Sequence, residues 1–207
     1  MNEQVKAAKH PKSLYILFFT EMWERFGYYL MVGILFLFLT NSTGKGLPKA
    51  MGSDIVGSFI ALVYLTPFIG GLLADRYLGY IKSIFIGGTL MAIGYLTIAL
   101  PGDYTMYIAM ACIIVGNGFF KPNISSMVGQ LYKDGDSRRD AGFSLFYAGV
   151  NLGALIGGYI CIAVANGNLW AGLVPENLRW NYAFGFASIV MIVSLLTFTQ
   201  TQKRDRK

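Results

Sequence analysis

Long apolar runs separated by short polar connections dominate the chain. Six of these runs cover residues 14–40, 55–74, 81–100, 104–130, 141–165 and 182–199. An α-helix rises 1.5 Å per residue, so about 20 apolar residues cross a hydrocarbon core of ~30 Å. Turn-forming residues occupy the connections at residues 41–44, 101–103 and 133–136. The pattern predicts an all-α membrane protein, with a tail at residues 1–13, a six-helix transmembrane bundle within residues 14–200 and a polar segment at residues 201–207.

The composition supports a lipid-facing surface. Hydrophobic residues make up 55% of the chain and charged residues 14%, whereas soluble domains carry about 25% charged residues. Glycine pairs such as Gly87-Gly88 and Gly157-Gly158 lie inside apolar runs, where small residues let helices approach closely. Cys112 and Cys161 also lie in apolar runs without metal-ligand spacing, which predicts free thiols. The first run is too long for a signal peptide and is expected to remain as the first span.

The distribution of basic residues predicts the orientation in the membrane. Of the 17 Lys and Arg residues, 12 fall on the side of the N-terminus, three on the opposite side (Lys45, Lys49 and Arg179) and two inside spans (Arg25 and Lys121). Positive charge is retained on the cytoplasmic side. We therefore expect a multi-pass protein of the cell membrane with both termini in the cytoplasm. The same topology signal explains the net charge of +6 without a nucleic-acid partner.

The first span contains ionisable residues that a bilayer disfavours. Relative to Glu21, the polar residues that follow are spaced by 3, 4, 7 and 8 positions: Glu24, Arg25, Tyr28 and Tyr29. At ~100° per residue, the row covers roughly 140° of one helical face. A charge at mid-membrane costs at least ~2.5–3.5 kcal/mol, so such residues indicate a functional site.

Two interpretations of this row remain open. The residues could form an ion pair that only locks helices together, because Glu21 and Arg25 are spaced i,i+4. Two acids against one Arg25 leave a carboxylate in excess, however, and an excess carboxylate in a low-dielectric interior is suited to carry a proton. The second interpretation is therefore a site of proton coupling.

Other spans carry weaker polar signals. Lys121 lies in the fourth span before Pro122, with Asn117 and Ser125 four residues to either side; it either snorkels to the interface or faces a cavity if the helix continues to Gln130. The fifth span carries polar residues at intervals of 3 and 4, which helix packing alone would explain: Ser144, Tyr147 and Asn151. Tyr64 in the second span is equally ambiguous.

Four segments together resemble one known family. E-M-W-E-R-F at residues 21–26 is similar to the E-x-x-E-R-F signature of the proton-dependent oligopeptide transporters of the major facilitator superfamily. G-G-L-L-A-D-R-Y-L-G at residues 70–79 resembles that family's loop between helices two and three. F-F-K-P-N at residues 119–123 and F-Y-A-G-V-N-L-G at residues 146–153 resemble its motifs in helices four and five.

The resemblance implies a function and a set of site residues. It implies proton-coupled symport of di- and tripeptides by alternating access, with Glu21, Glu24 and Arg25 in proton coupling. The implied substrate-binding residues are Arg25, Tyr28, Tyr29, Tyr64, Lys121 and Asn151. Asp75 and Arg76 are implied to belong to a gating region outside the binding site.

The resemblance covers only the N-terminal six-helix half of such a transporter, and it implies that residues 201–207 are the start of a cytoplasmic linker to the second half. The second half would supply the opposite wall of the cavity, so the expected partners are a peptide substrate, the bilayer and either that C-terminal half or a second chain. Two alternatives remain: a carrier of another anion such as nitrate, or a membrane subunit that does not transport. We expect no enzymatic activity and no cofactor or metal besides the coupling proton, because the single His10 lies in the polar tail and no catalytic His or Cys set is evident.

Overall fold

A computed structural model describes residues 9–102, 104–167, 169 and 172–204, with side chains up to residue 200. The helices in this part of the chain are α1 Lys12–Thr40, α2 Lys49–Leu73, α3 Tyr80–Ala99, α4 Thr105–Gln130, α5 Arg139–Ala165 and α6 Arg179–Arg204. A π-helical turn, Ala74–Leu78, follows α2, and a 3₁₀ turn, Glu176–Leu178, precedes α6. All six long helices are long and apolar enough to cross a membrane. The predicted all-α, six-helix fold is confirmed.

Several helix ends differ from the predicted spans. Helix α2 begins at Lys49, six residues before the apolar run at residues 55–74. The prediction started too late because the first turns of the helix contain polar residues, which a search for apolar runs excludes. Pro48 precedes it in an extended conformation, which suits a helix start. Helix α1 begins at Lys12, inside the predicted tail, and α6 continues into residues 201–204 of the predicted linker. Residues 1–8 and 205–207 of the predicted tail and linker, and Asp103 of a predicted turn, lie outside the described residues.

The helices pack as two related sets of three. Helix α1 packs against α5 and α6, while α4 packs against α2 and α3. If α1, α2 and α3 are exchanged with α4, α5 and α6, the contacts of α1 with α5 and α6 become the contacts of α4 with α2 and α3. This equivalence is the arrangement of an internal three-helix repeat. Contacts between α3 and α6 join the two sets. This topology places α1 and α4 centrally, with their polar residues inside the bundle.

Glycines allow the central helices to approach their neighbours. A Cβ atom at Gly153 of α5 would press against the Met22 carbonyl and lie 3.0 Å from Arg25 Cβ of α1. A Cβ atom at Gly70 of α2 would overlap the carbonyl of Gly118 in α4. The Gly118 carbonyl accepts no helical hydrogen bond from residue 122, because that residue is Pro122 and has no N–H. The backbones of α1 and α5, and of α2 and α4, therefore pack directly against each other.

Polar contacts fasten the connections at both ends. At the end opposite the N-terminus, Trp180 Nε1 donates to Thr43 Oγ1 at 3.0 Å. At the N-terminal end, the Tyr132 hydroxyl lies 2.9 Å from His10 Nδ1, and Arg138 Nη1 donates to the Lys9 carbonyl at 2.8 Å. Hydrogen bonds from Arg138 lower the pKa of Asp136, which lies in the α4–α5 connection, to about 2.

Candidate functional site

The centre of α1 carries a buried ion cluster. Glu21, Glu24 and Arg25 are 3%, 0% and 4% exposed. Arg25 donates from both Nε and Nη2 to the two carboxylate oxygens of Glu24, with the Nη2–Oε1 distance at 2.6 Å. Its Nε also lies 3.3 Å from Glu21 Oε1. The three ionisable side chains thus lie inside the bundle, where burial demands that they be paired.

The two acids of this cluster are paired unequally. Glu24 accepts one hydrogen bond at each carboxylate oxygen, from Nε and Nη2 of Arg25, and such a two-point contact is the strongest geometry for this pair. Glu21 makes one longer contact with Arg25, and its Oε2 has no hydrogen-bond partner among the described residues. Glu21 is therefore the acid whose charge is less well compensated by the protein.

Two tyrosines extend the cluster along α1. The guanidinium carbon of Arg25 lies 4.9 Å from the ring centroid of Tyr28, within the range of a cation–π contact. Tyr28 is 5% exposed, whereas Tyr29 is 38% exposed, and their rings meet edge to face with centroids 5.4 Å apart. The helical row therefore passes from the interior at Glu24 to the surface at Tyr29.

Lys121 approaches the cluster from α4. Its Nζ lies 5.0 Å above the ring of Tyr64 in α2, and it interacts electrostatically with Glu21, Glu24 and Arg25. Helix α4 continues to Gln130, about 13 Å beyond Lys121 at 1.5 Å per residue. This depth favours a lysine that faces the interior over one that snorkels to the interface.

The polar residues of α5 do not join this cluster. Asn151 is exposed and makes no hydrogen bond within the described part of the chain. Tyr147 is 54% exposed, and the Ser144 hydroxyl donates to the Asp140 carbonyl of its own helix at 3.0 Å. The face of α5 that contacts α1 is instead formed by Gly149, Gly153 and Gly157. Asn151 is therefore accessible to a ligand from the exposed face of α5.

Asp75 and Arg76 lie apart from the ion cluster. Both are exposed in the π-helical turn Ala74–Leu78, at the end of the bundle where α1 begins. Asp75 accepts a hydrogen bond from Tyr80, and the Arg76 guanidinium lies 5.4 Å from the ring centroid of Tyr77. This position is compatible with the predicted gating role, which stays a prediction.

Two further polar residues are buried in the bundle but were not predicted as site residues from the sequence. Tyr95 of α3 and Asn117 of α4 are both 0% exposed. The Tyr95 hydroxyl and both polar atoms of the Asn117 amide lack hydrogen-bond partners among the residues described. The available signal for Tyr95 was a tyrosine within the third apolar run.

The described residues contain no group of three or more His, Cys, Asp or Glu side chains arranged to hold a metal ion. The chemistry that the cluster offers is ionic and protonic. Its acids can exchange protons, and its guanidinium and ammonium groups can bind an anion such as a carboxylate.

Comparison with known proteins places this geometry in a family. The chain is 41% identical over 200 residues to an uncharacterized transporter, YclF, of Bacillus subtilis (strain 168), covering 95% of this chain and 39% of the relative. It is 42% identical over 194 residues to a di-/tripeptide transporter of Lactococcus lactis subsp. lactis (strain IL1403), covering 91% of this chain and 37% of the relative.

A solved structure, that of a peptide transporter POT in complex with sulfate, superposes with a TM-score of 0.84 at 41% identity, covering 94% of this chain and 38% of that one. The chain thus spans about two fifths of the length of the relatives it matches. The model of the family described as PTR2, POT family, matches residues 81–207, more than half of the chain. The chain therefore belongs to the POT family.

Proposed function

We propose that this chain forms the N-terminal half of a proton-coupled carrier of di- and tripeptides in the cell membrane. The observation that carries the proposal is the buried cluster of Glu21, Glu24 and Arg25, with Lys121 facing it from α4. The relative in Lactococcus lactis is named a di-/tripeptide transporter. A carrier of this kind is not an enzyme, since the substrate crosses the membrane unchanged.

The charge of the cluster gives the proposed coupling its physical basis. With both acids ionised, Glu21 and Glu24 balance Arg25 and Lys121, and the net charge is zero. One bound proton leaves one positive charge in a buried, low-dielectric site, and the carboxylate of a peptide can neutralise it. Proton and peptide then each strengthen the binding of the other, as linkage requires.

The unequal pairing identifies the acid that takes the proton in this mechanism. Glu24 is held at both oxygens by Arg25, whereas Glu21 has one long contact and a free oxygen. Protonation of Glu21 therefore breaks fewer hydrogen bonds than protonation of Glu24. Arg25 then has one ionised partner fewer, and together with Lys121 it would hold the peptide carboxylate, with Tyr28, Tyr29, Tyr64 and Asn151 lining the cavity.

The exposed faces of α2 and α5 suggest where the other cavity wall would pack. Phe68 of α2 and Tyr159 of α5 are 73% and 74% exposed, and both helices flank α1 and its cluster. A second six-helix half, or a second copy of the chain, would cover these faces and enclose Tyr64 and Asn151. In this proposal, both termini lie in the cytoplasm because basic residues concentrate on that side.

Reconstitution into proteoliposomes tests the proposal. The purified chain, alone and co-expressed with the C-terminal half of the Lactococcus lactis relative, is assayed for uptake of a labelled dipeptide driven by an acidic exterior. We expect uptake with the second half, collapse of uptake when a protonophore is added, and competition by unlabelled tripeptides. Uptake that resists the protonophore, or competition by nitrate but not by peptides, would contradict the proposed function.

A matched pair of variants links transport to the cluster. Lys121→Ala removes the lysine that faces the acids, whereas Lys45→Ala removes a lysine that only bonds the Gly102 carbonyl in an exposed connection. We expect uptake to fall only in Lys121→Ala. Equal uptake in the two variants would remove Lys121 from the proposed site.

A further inference from the structure

The hydroxyl of Tyr95 is a buried polar group that the proposed coupling does not yet use. Tyr95 lies in α3, and its side chain is 0% exposed. Its oxygen has no hydrogen-bond partner within residues 9–200 as far as they are described. Buried hydroxyl groups are nearly always hydrogen-bonded, because an unpaired one costs free energy. A phenylalanine would fill the same space without this cost, so the hydroxyl calls for an explanation.

The position of Tyr95 brings its ring against the part of α1 that carries the ion cluster. A Cβ atom at Gly27 would lie 3.7 Å from Tyr95 Cε2, an ordinary van der Waals distance, so the ring lies beside α1 two residues after Arg25. The phenol interacts electrostatically with Glu24, Arg25 and Tyr28. Tyr95 thus reaches the cluster from α3, while Lys121 reaches it from α4.

Glu24 has the capacity to accept a further hydrogen bond. Arg25 donates once to each of its oxygens, and each carboxylate oxygen has two lone pairs. The charged and titratable groups that face Glu24 are Arg25, Glu21 and Tyr28 on α1, Tyr95 on α3 and Lys121 on α4. Of these, Tyr95 is the neutral donor whose hydroxyl is fully buried and unpaired.

We propose that Tyr95 is a positioning residue of the cluster, whose hydroxyl donates to the Glu24 carboxylate through one bridging water. This bond keeps Glu24 ionised and aligned on Arg25, so that the coupling proton binds at Glu21. The role of this bond in coupling rests on the proposed function, but the bond itself can be measured without a transport assay.

Infrared titration of the chain in lipid nanodiscs measures this bond without a transport assay. The carboxylic-acid carbonyl band of the cluster is followed with pH in a Glu21→Gln background, so that Glu24 is the remaining buried acid. Tyr95→Phe removes a hydrogen bond to the ionised form, so the midpoint should move to higher pH by about one unit, a change of about tenfold in proton affinity. Tyr132→Phe, which removes a hydroxyl that bonds His10, should leave the midpoint unchanged.

A second change tests the donor without removing it. Fluorination of the Tyr95 ring makes its hydroxyl a stronger donor and should move the midpoint to lower pH while the packing is retained. This measurement decides the question if Tyr95→Phe does not fold. Midpoints that are unchanged in both altered proteins, or that move equally with Tyr132→Phe, would overturn the inference. Absence of peptide uptake by the unaltered protein with its second half would instead refute the proposed function.

Discussion

Replacement of Glu21 by Gln separates the proton from the peptide in the proposed mechanism. The variant keeps the size of the side chain and its position beside Arg25, 3.3 Å away in the parent chain, but it cannot release a proton. The cluster then holds one acid against two cations and carries a constant positive charge. Peptide binding therefore no longer requires a proton, and a pH gradient no longer drives uptake.

The size of the effect follows from the charge count. Each proton carried with a peptide allows about tenfold accumulation per unit of pH gradient, since one unit corresponds to about 1.4 kcal/mol. Across a gradient of one unit without membrane potential, the parent protein with its second half should accumulate a dipeptide about tenfold. Glu21→Gln should only equilibrate it. Counterflow exchange of labelled for unlabelled peptide, which needs no net proton movement, should remain.

Proteoliposomes loaded at neutral pH and diluted into acidic buffer provide the assay. Glu176→Gln is the matched control, because Glu176 is 77% exposed and pairs only loosely with Arg179, at 3.8 Å. It should accumulate peptide like the parent. Accumulation by Glu21→Gln that equals the parent's would refute the reasoning, since the proton would then bind elsewhere.

Three further predictions test the site, the packing and the surface. Lys121→Ala should weaken binding of free peptides at least tenfold more than binding of C-terminally amidated peptides in a competition assay; equal losses would show that Lys121 does not bind the carboxylate. Gly153→Val should lower the free energy of unfolding by roughly 1–3 kcal/mol in a denaturant titration, because the new side chain meets Met22 and Arg25. In Gly158→Ala the new Cβ meets nothing within 4 Å, so this variant should not lower the free energy of unfolding, because Ala favours a helix more than Gly does. Asp136 has a pKa of about 2 in the folded chain against 3.8 normally, so its contribution to stability is complete above about pH 4 and disappears as the pH falls through 2. The difference in melting temperature between the parent and Asp136→Asn should follow that course, and a difference that keeps its full size at pH 2 would assign it to another cause.

The six-helix fold could be predicted because hydropathy directly reflects the requirement for spanning a bilayer. The errors occur where a helix continues past the apolar run. Helix α2 starts at Lys49, and its first two turns include Lys49, Ser53 and Asp54, polar residues that lie before the apolar run. Helix ends depend on local backbone hydrogen bonds and on Pro48, not on transfer into lipid.

The ion cluster on α1 was also predictable, because residues at intervals of 3 and 4 must share a helical face. The residues that pack against the polar face of α1 could not be predicted from the sequence. Asn151 occurs in a polar row of α5 similar in spacing to that of α1, yet it is exposed, because the glycines of α5 and not its polar residues pack on α1; its predicted contact with substrate stays a prediction. Tyr95 was missed for the converse reason. Its neighbours in the sequence are apolar, and only the fold brings it against Gly27 and the ions.

Proton uptake during peptide binding tests the central claim most directly. Calorimetric titration of a dipeptide into the chain with its second half, in buffers of different ionisation enthalpy, gives the number of protons taken up per peptide bound. If a neutral cluster of two acids and two cations must gain a proton to accept a carboxylate, a dipeptide will take up close to one proton, and its amidated analogue will take up none. Binding of the free dipeptide without proton uptake across the neutral pH range would contradict the account.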